Sequence, residues 1–159
     1  MSILQSSQRK TKLLRLLPPL AWMALIFLFS AMPSDSSTRQ SSTLADMLVS
    51  VAGRFLFLDQ TARVLLSARL EPVLRKLAHM TEYAVLFILW RHALRSLGNT
   101  LKKASFVSAL ICILYAASDE LHQLFVPGRS GMVMDVGIDS LGVFIAFIIL
   151  FLMERKRAK

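Results

Sequence analysis

Only one cysteine, Cys112, occurs in the 159 residues, which excludes a disulfide framework or a cysteine metal site within a single chain. It lies among Ala109, Leu110, Ile111 and Ile113, the setting of a small packing residue. Acidic residues are also scarce, 10 against 19 lysines and arginines, for a formal net charge of +9. In a soluble chain that excess would suggest nucleic acid. Here the basic residues flank apolar blocks and are not interleaved with aromatics, so nucleic acid is not an expected partner. Nor does any serine carry the signature of an activated nucleophile, since Ser118 and Ser130 both lack the strained turn such a serine needs.

What the chain has instead is apolar bulk, 55% of its residues, gathered into blocks. Four blocks approach the ~20 residues that a hydrocarbon core requires: about 13–32, 77–94, 104–126 and 132–153. The expected fold is therefore all-α, a membrane domain over residues 1–159 built as a bundle of four transmembrane helices. The second block is the weakest, broken by His79 and Glu82 near its start and by Arg91 and His92 near its end. A cleaved signal peptide is the alternative for the first block. Pro18 and Pro19 near its start and the lack of a small-x-small cleavage site argue against it.

Basic residues give the orientation. Arg9, Lys10, Lys12 and Arg15 precede the first block; Arg91, Arg95, Lys102 and Lys103 join the second to the third; Arg155, Lys156, Arg157 and Lys159 close the chain. All three groups belong in the cytoplasm with both termini. The long outer loop 33–76 carries six basic residues, partly balanced by Asp35, Asp46, Asp59 and Glu71. Within it, Leu44, Met47, Leu48, Val51, Phe55 and Leu58 recur at helical spacing. They describe an amphipathic helix, lying in the outer membrane interface or packed on the bundle.

The costly residues all fall in the outer half. A charge at membrane depth is rare unless it faces a protein interior and is paired. On the second helix Lys76, His79, Glu82 and Tyr83 share a face by their spacing of three or four residues. On the third, Asp119, His122 and Gln123 do the same with Tyr115, and Glu120 lies about a quarter-turn away. On the fourth, Asp135 and Asp139 align with Gly142, and Asp139 lies roughly 10 Å below Met132. The turn Pro127-Gly128-Arg129-Ser130-Gly131 would fold its arginine over these carboxylates as a lid or clamp. Together these residues are the expected ligand-binding set.

Three blocks carry a resemblance. They are Arg75-Lys76-Leu77-Ala78-His79-Met80-Thr81-Glu82-Tyr83, Ser118-Asp119-Glu120-Leu121-His122-Gln123-Leu124-Phe125-Val126-Pro127-Gly128-Arg129, and Asp135-Val136-Gly137-Ile138-Asp139-Ser140-Leu141-Gly142. In order and spacing they resemble the VanZ-like family of membrane proteins. The run Phe29-Ser30-Ala31-Met32-Pro33, followed by Ser37 and Ser41, is similar to that family's serine-bearing pattern, with Met32 where a glutamine is common. The resemblance implies a small multi-pass protein of the bacterial cytoplasmic membrane and, for some members, resistance to teicoplanin-type lipoglycopeptides.

Three function classes compete. The first is an outward-facing pocket for the polar head of a lipid-linked cell-wall precursor or acylated glycopeptide, with Arg129 and Lys76 on phosphate or carboxylate and the acids on amines or hydroxyls. The second is an intramembrane hydrolase or transferase, in which His79, Glu82, Asp119 and His122 act as acid and base or hold a divalent metal. The third is structural, the buried charges serving only to hold helices together.

Overall fold

A computed structural model describes residues 14–157. Arg9, Lys10, Lys12 and Lys159 of the orientation argument lie outside the described residues. The described chain is all helical, in the order α1 Leu17–Ser30, α2 Ser34–Phe55, α3 Gln60–Ser96, α4 Leu101–Gln123 and α5 Val133–Arg157. Pro18 and Pro19 sit in the first turn of α1, where a missing N–H leaves no intrahelical bond unmade. Pro33 separates α1 from α2. Asp59 caps α3 by accepting from the Ala62 N–H at 2.7 Å, and Gly98, at φ +94°, supplies the left-handed residue just past its end.

The chief departure from expectation is α3. Residues 33–76 are largely helical: α2 takes up the stretch expected as an amphipathic helix, and α3 runs unbroken for 37 residues, about 55 Å, through the expected boundary at Leu77. Pro72 lies inside α3 and has no N–H for the carbonyl of Ala68. The helix continues because α2 packs alongside it. Ser41 donates to Glu71 at 2.7 Å, Ser67 bonds to Asp46, and Arg63 donates to the Gly53 and Leu58 carbonyls at 3.2 and 3.0 Å.

These pairs run in opposite senses along the two helices, so α2 and the first half of α3 form an antiparallel hairpin. Its turn is closed by Phe57 at φ +50°. Small side chains make the seam, Ala45, Val49 and Gly53 being buried. The apolar stripe of Leu44, Met47, Leu48, Val51 and Phe55 points outward and is exposed.

Beyond Leu77, α3 enters a bundle with α1, α4 and α5. The core gathers Ile26 of α1, Tyr83, Leu86 and Phe87 of α3, Cys112 and Ala116 of α4, and Val143 and Ala146 of α5. Helix directions follow from paired contacts. Arg15 reaches the Ser96 carbonyl and Trp22 donates to the Glu82 carbonyl at 2.9 Å, so α1 and α3 are antiparallel. Tyr115 donates to the Met23 carbonyl at 2.6 Å and Gln123 to Ser30 at 3.0 Å, so α1 and α4 are parallel. Arg91 bridges Ser105 of α4 and Glu154 of α5 at the opposite end.

The packing is the kind found between membrane helices, with small residues inside and large ones outside. On α4 the buried line is Ala104, Ser108, Cys112 and Ala116, whereas Phe106, Leu110, Leu114 and Leu121 are exposed. Two helices, α4 and α5, are long and apolar enough to cross a membrane, and α1 is apolar but has 14 residues. The chain thus has membrane-helix character. The charges at His79, Glu82 and Arg91 keep α3 out of that class.

Helices α3 and α5 approach most closely at Gly142. A Cβ there would lie 2.8 Å from the Met80 carbonyl carbon and closer still to its oxygen. Gly142→Ala is expected to destabilise the protein by about 1–3 kcal/mol through overpacking. Thermal unfolding in detergent is the measurement, and an unchanged transition would show that the two helices can separate freely.

Candidate functional site

The end of the bundle opposite Arg91 and Glu154 holds a cavity of about 380 Å³. From α3 come Arg75, Lys76 and His79; from α4, Glu120 and Gln123; from the turn, Arg129; from α5, Asp135 and Asp139. Seven expected site residues therefore line one chamber: Lys76, His79, Glu120, Gln123, Arg129, Asp135 and Asp139. The parallel register of α3 and α5 brings this about, because Met80 lies against Gly142 and Asp139 is one helical turn before that glycine. A second cavity of about 210 Å³ lies between α1, α2 and α3, lined by Phe29, Met32, Leu44, Leu74, Ala78 and Glu82 among others. Arg75, His79 and Arg129 line both cavities and form the wall between them.

Several groups at the chamber are already engaged. Glu120 is 7% exposed, and its carboxylate accepts the Met132 N–H at 2.8 Å, occupying a donor at the start of α5. A Cβ on Gly131 would collide with the Glu120 carbonyl, so only glycine lets this turn pass so near α4. Gln123 donates to Ser30 at 3.0 Å and to Asp119 at 3.2 Å, joining α4 to the end of α1. Arg75 pairs with Glu71 at 3.5 Å.

Arg129 corrects an expectation. It does not clamp the carboxylates but turns toward α1, donating from Nε to the Met32 carbonyl at 2.9 Å and from a terminal nitrogen to the Phe29 carbonyl at 3.2 Å. Those carbonyls lie at and just beyond the C-terminal end of α1, where a cation is favoured, and the Phe29 carbonyl also accepts the Met32 N–H at 3.2 Å. Burial draws its pKa below the ordinary arginine value, against the pull of nearby Asp119 and Glu120. Because the backbone oxygen of Met32 is what Arg129 uses, methionine in place of glutamine leaves this contact untouched.

Other expected residues do not reach the chamber. Tyr83 is fully buried in the core, and its hydroxyl has no hydrogen-bond partner among the described residues. Asp119 is buried beside Ser30 and Gln123 and lines neither cavity. His122 was expected to share the face of Asp119, but its ring stacks on Phe27 of α1 with centroids 4.5 Å apart. Glu82 lines the second cavity and pairs with His79 at 3.4 Å.

Of the expected metal donors His79, Glu82, Asp119 and His122, only His79 and Glu82 are seen as a pair. Among the described residues, no three His, Cys, Asp or Glu side chains are grouped to hold a metal ion. Sequence reasoning gave Ser30 no part in the site. Its signals were its place at the end of the first apolar block and in the run Phe29-Ser30-Ala31-Met32-Pro33 that resembles the family's serine-bearing pattern.

A family model described as VanZ/LLP1 matches residues 16–154. The chain belongs to that family. Searches of curated proteins and of solved structures found no match. The matched span takes in α1 to α4 and α5 as far as Glu154, so the VanZ/LLP1 region includes the α2–α3 hairpin as well as the helices of the core.

Arg129→Ala is expected to lower stability by about 1–3 kcal/mol, since two charge-assisted bonds to the end of α1 disappear. Arg129→Lys should recover only part, because a single ammonium lacks the planar fork that reaches both carbonyls. Detergent thermal unfolding of the two variants checks the order, and equal stability of alanine and lysine would refute the fork.

Proposed function

We propose that this VanZ/LLP1 protein is a multi-pass protein of the bacterial cytoplasmic membrane, with an outward-facing pocket for the polar head of a lipid-linked cell-wall precursor or acylated glycopeptide. In this reading it contributes to resistance against teicoplanin-type lipoglycopeptides. Helices α1 and α4, α5, and the second half of α3 are the four spans. Arg15, Arg95, Lys102, Lys103, Arg155, Lys156 and Arg157 gather at one end, and the preference of basic residues for the cytoplasmic side supports a reading in which the chamber at the other end faces out. The exposed stripe of α2 then meets the outer membrane interface.

One observation carries the binding reading. Asp139 is 3% exposed and lines the larger cavity, yet its carboxyl makes no hydrogen bond or ion pair with a described residue. Polar groups that only join helices satisfy one another. A buried carboxyl left open to a cavity fits a ligand better than it fits glue. The cavity volume lies within the range of small-molecule sites.

The test separates stability from phenotype. Asp139→Asn and Lys76→Gln are expected to shift unfolding by less than ~1 kcal/mol. Both should abolish protection against teicoplanin in a host that depends on this protein. Mutants that protect fully would remove the pocket, and protection falling only in step with stability would return the site to structural glue.

The His79–Glu82 pair favours a second reading, hydrolysis or group transfer on the same ligand. A histidine with a carboxylate 3.4 Å from its Nδ1, close enough to tighten into a hydrogen bond when substrate is present, suits a general base. Here His79→Gln would preserve ligand binding while ending product release from a lipid-linked substrate. Unchanged product release in that variant would exclude His79 as the base.

A further inference from the structure

The two cavities differ in chemistry, and their order along the site implies an order in the ligand. The larger one has three carboxylates, Glu120, Asp135 and Asp139, and three cationic side chains, Arg75, Lys76 and Arg129. Glu120, Arg75 and Arg129 are engaged with Met132, Glu71 and the end of α1. Among the described residues, Lys76, Asp135 and Asp139 make no side-chain hydrogen bond or ion pair. These three uncommitted ionisable side chains are segregated, the lysine on α3 and both carboxyl groups one turn apart on α5. Past the shared wall, the second cavity is lined by the apolar Phe29, Met32, Leu44, Leu74 and Ala78, with Gln40, Ser41 and Glu82 as its polar members.

We propose that the ligand is an amphiphile whose head couples a phosphate to a primary ammonium group. The ammonium lies between Asp139 and Asp135, the phosphate meets Lys76 beside the Arg75 and Arg129 wall, and the hydrocarbon leaves through the second cavity. Two carboxylates can share the three donors of one ammonium. A compact ammonium also suits a narrow site better than a quaternary amine, which has no N–H to give. The wall cations match a phosphate at the junction of head and chain. This rests on the pocket reading above and narrows it to a chemical class. An aminophospholipid and a lipid-linked cell-wall precursor with a free amine both belong to that class.

The experiment is native mass spectrometry of the full chain in nanodiscs of equal parts phosphatidylethanolamine and phosphatidylglycerol. A parallel set contains an amine-bearing lipid-linked precursor or its N-acetylated form. Retention of at least one amine-bearing lipid over its amine-free counterpart by about tenfold or more is expected, the effect of one charge-assisted bond. Whichever arm discriminates identifies the source. Asp139→Asn should bring that ratio close to one, and Asp135→Asn, in the half-exposed first turn of α5, should do so where the deeper variant fails to fold. Lys76→Gln should weaken both members of the pair alike.

Equal retention within both pairs overturns the inference. If amphiphiles are retained but equally within both pairs, the pocket stands and the ammonium assignment alone falls. If no amphiphile is retained, both fall.

Discussion

The crossing of α3 and α5 at Met80 and Gly142 is the constraint on which the rest of this structure depends. With no side chain between them, the two backbones approach closely enough to set their register. That register carries Asp139 and Asp135 into the chamber of His79 and Lys76 at one end. At the other end it joins Arg91 to Glu154. A bulkier residue at position 142 would separate the charged side chains from one another as well as loosening the core.

Around this crossing, polar side chains work mainly as ties between helix ends. Arg129 satisfies the last carbonyls of α1, Glu120 an early donor of α5, and Gln123 the hydroxyl of Ser30. Each removes an orphan backbone group or a buried polar atom that would be costly in an apolar surround. The chamber is what remains once these ties are made. Lys76, Asp135 and Asp139 are the ionisable side chains of the chamber that these ties leave without a hydrogen bond or ion pair among the described residues, and the proposed binding reading rests on them, whereas Arg129 and Glu120 hold the walls.

The α2–α3 hairpin follows a different logic from the bundle. Its seam is made of Ala45, Val49 and Gly53 with the Ser67–Asp46 and Ser41–Glu71 bonds, while its larger apolar residues face away from the seam. A water-facing hairpin would reverse that arrangement. The second cavity opens between this hairpin and α1, so the outward apolar stripe and this mixed apolar and polar cavity lie on neighbouring parts of the protein, sharing Leu44.

The sequence alone determined that the chain is helical, where its apolar blocks lie, and which residues are too polar for their surroundings. Period and composition are local properties, readable without knowing what packs where. It was also enough to suggest the family, because the three polar blocks keep their order and spacing. Only the tertiary structure decided which of those residues meet. Lys76, His79 and Asp139 share a chamber because α3 and α5 are parallel and in register, whereas His122 turns to Phe27 although helical spacing places it on the face of Asp119. The unbroken α3 was hidden for the same reason: residues 60–76 carry no long apolar run, and their helix is held by α2, a partner remote in the local pattern but adjacent in space.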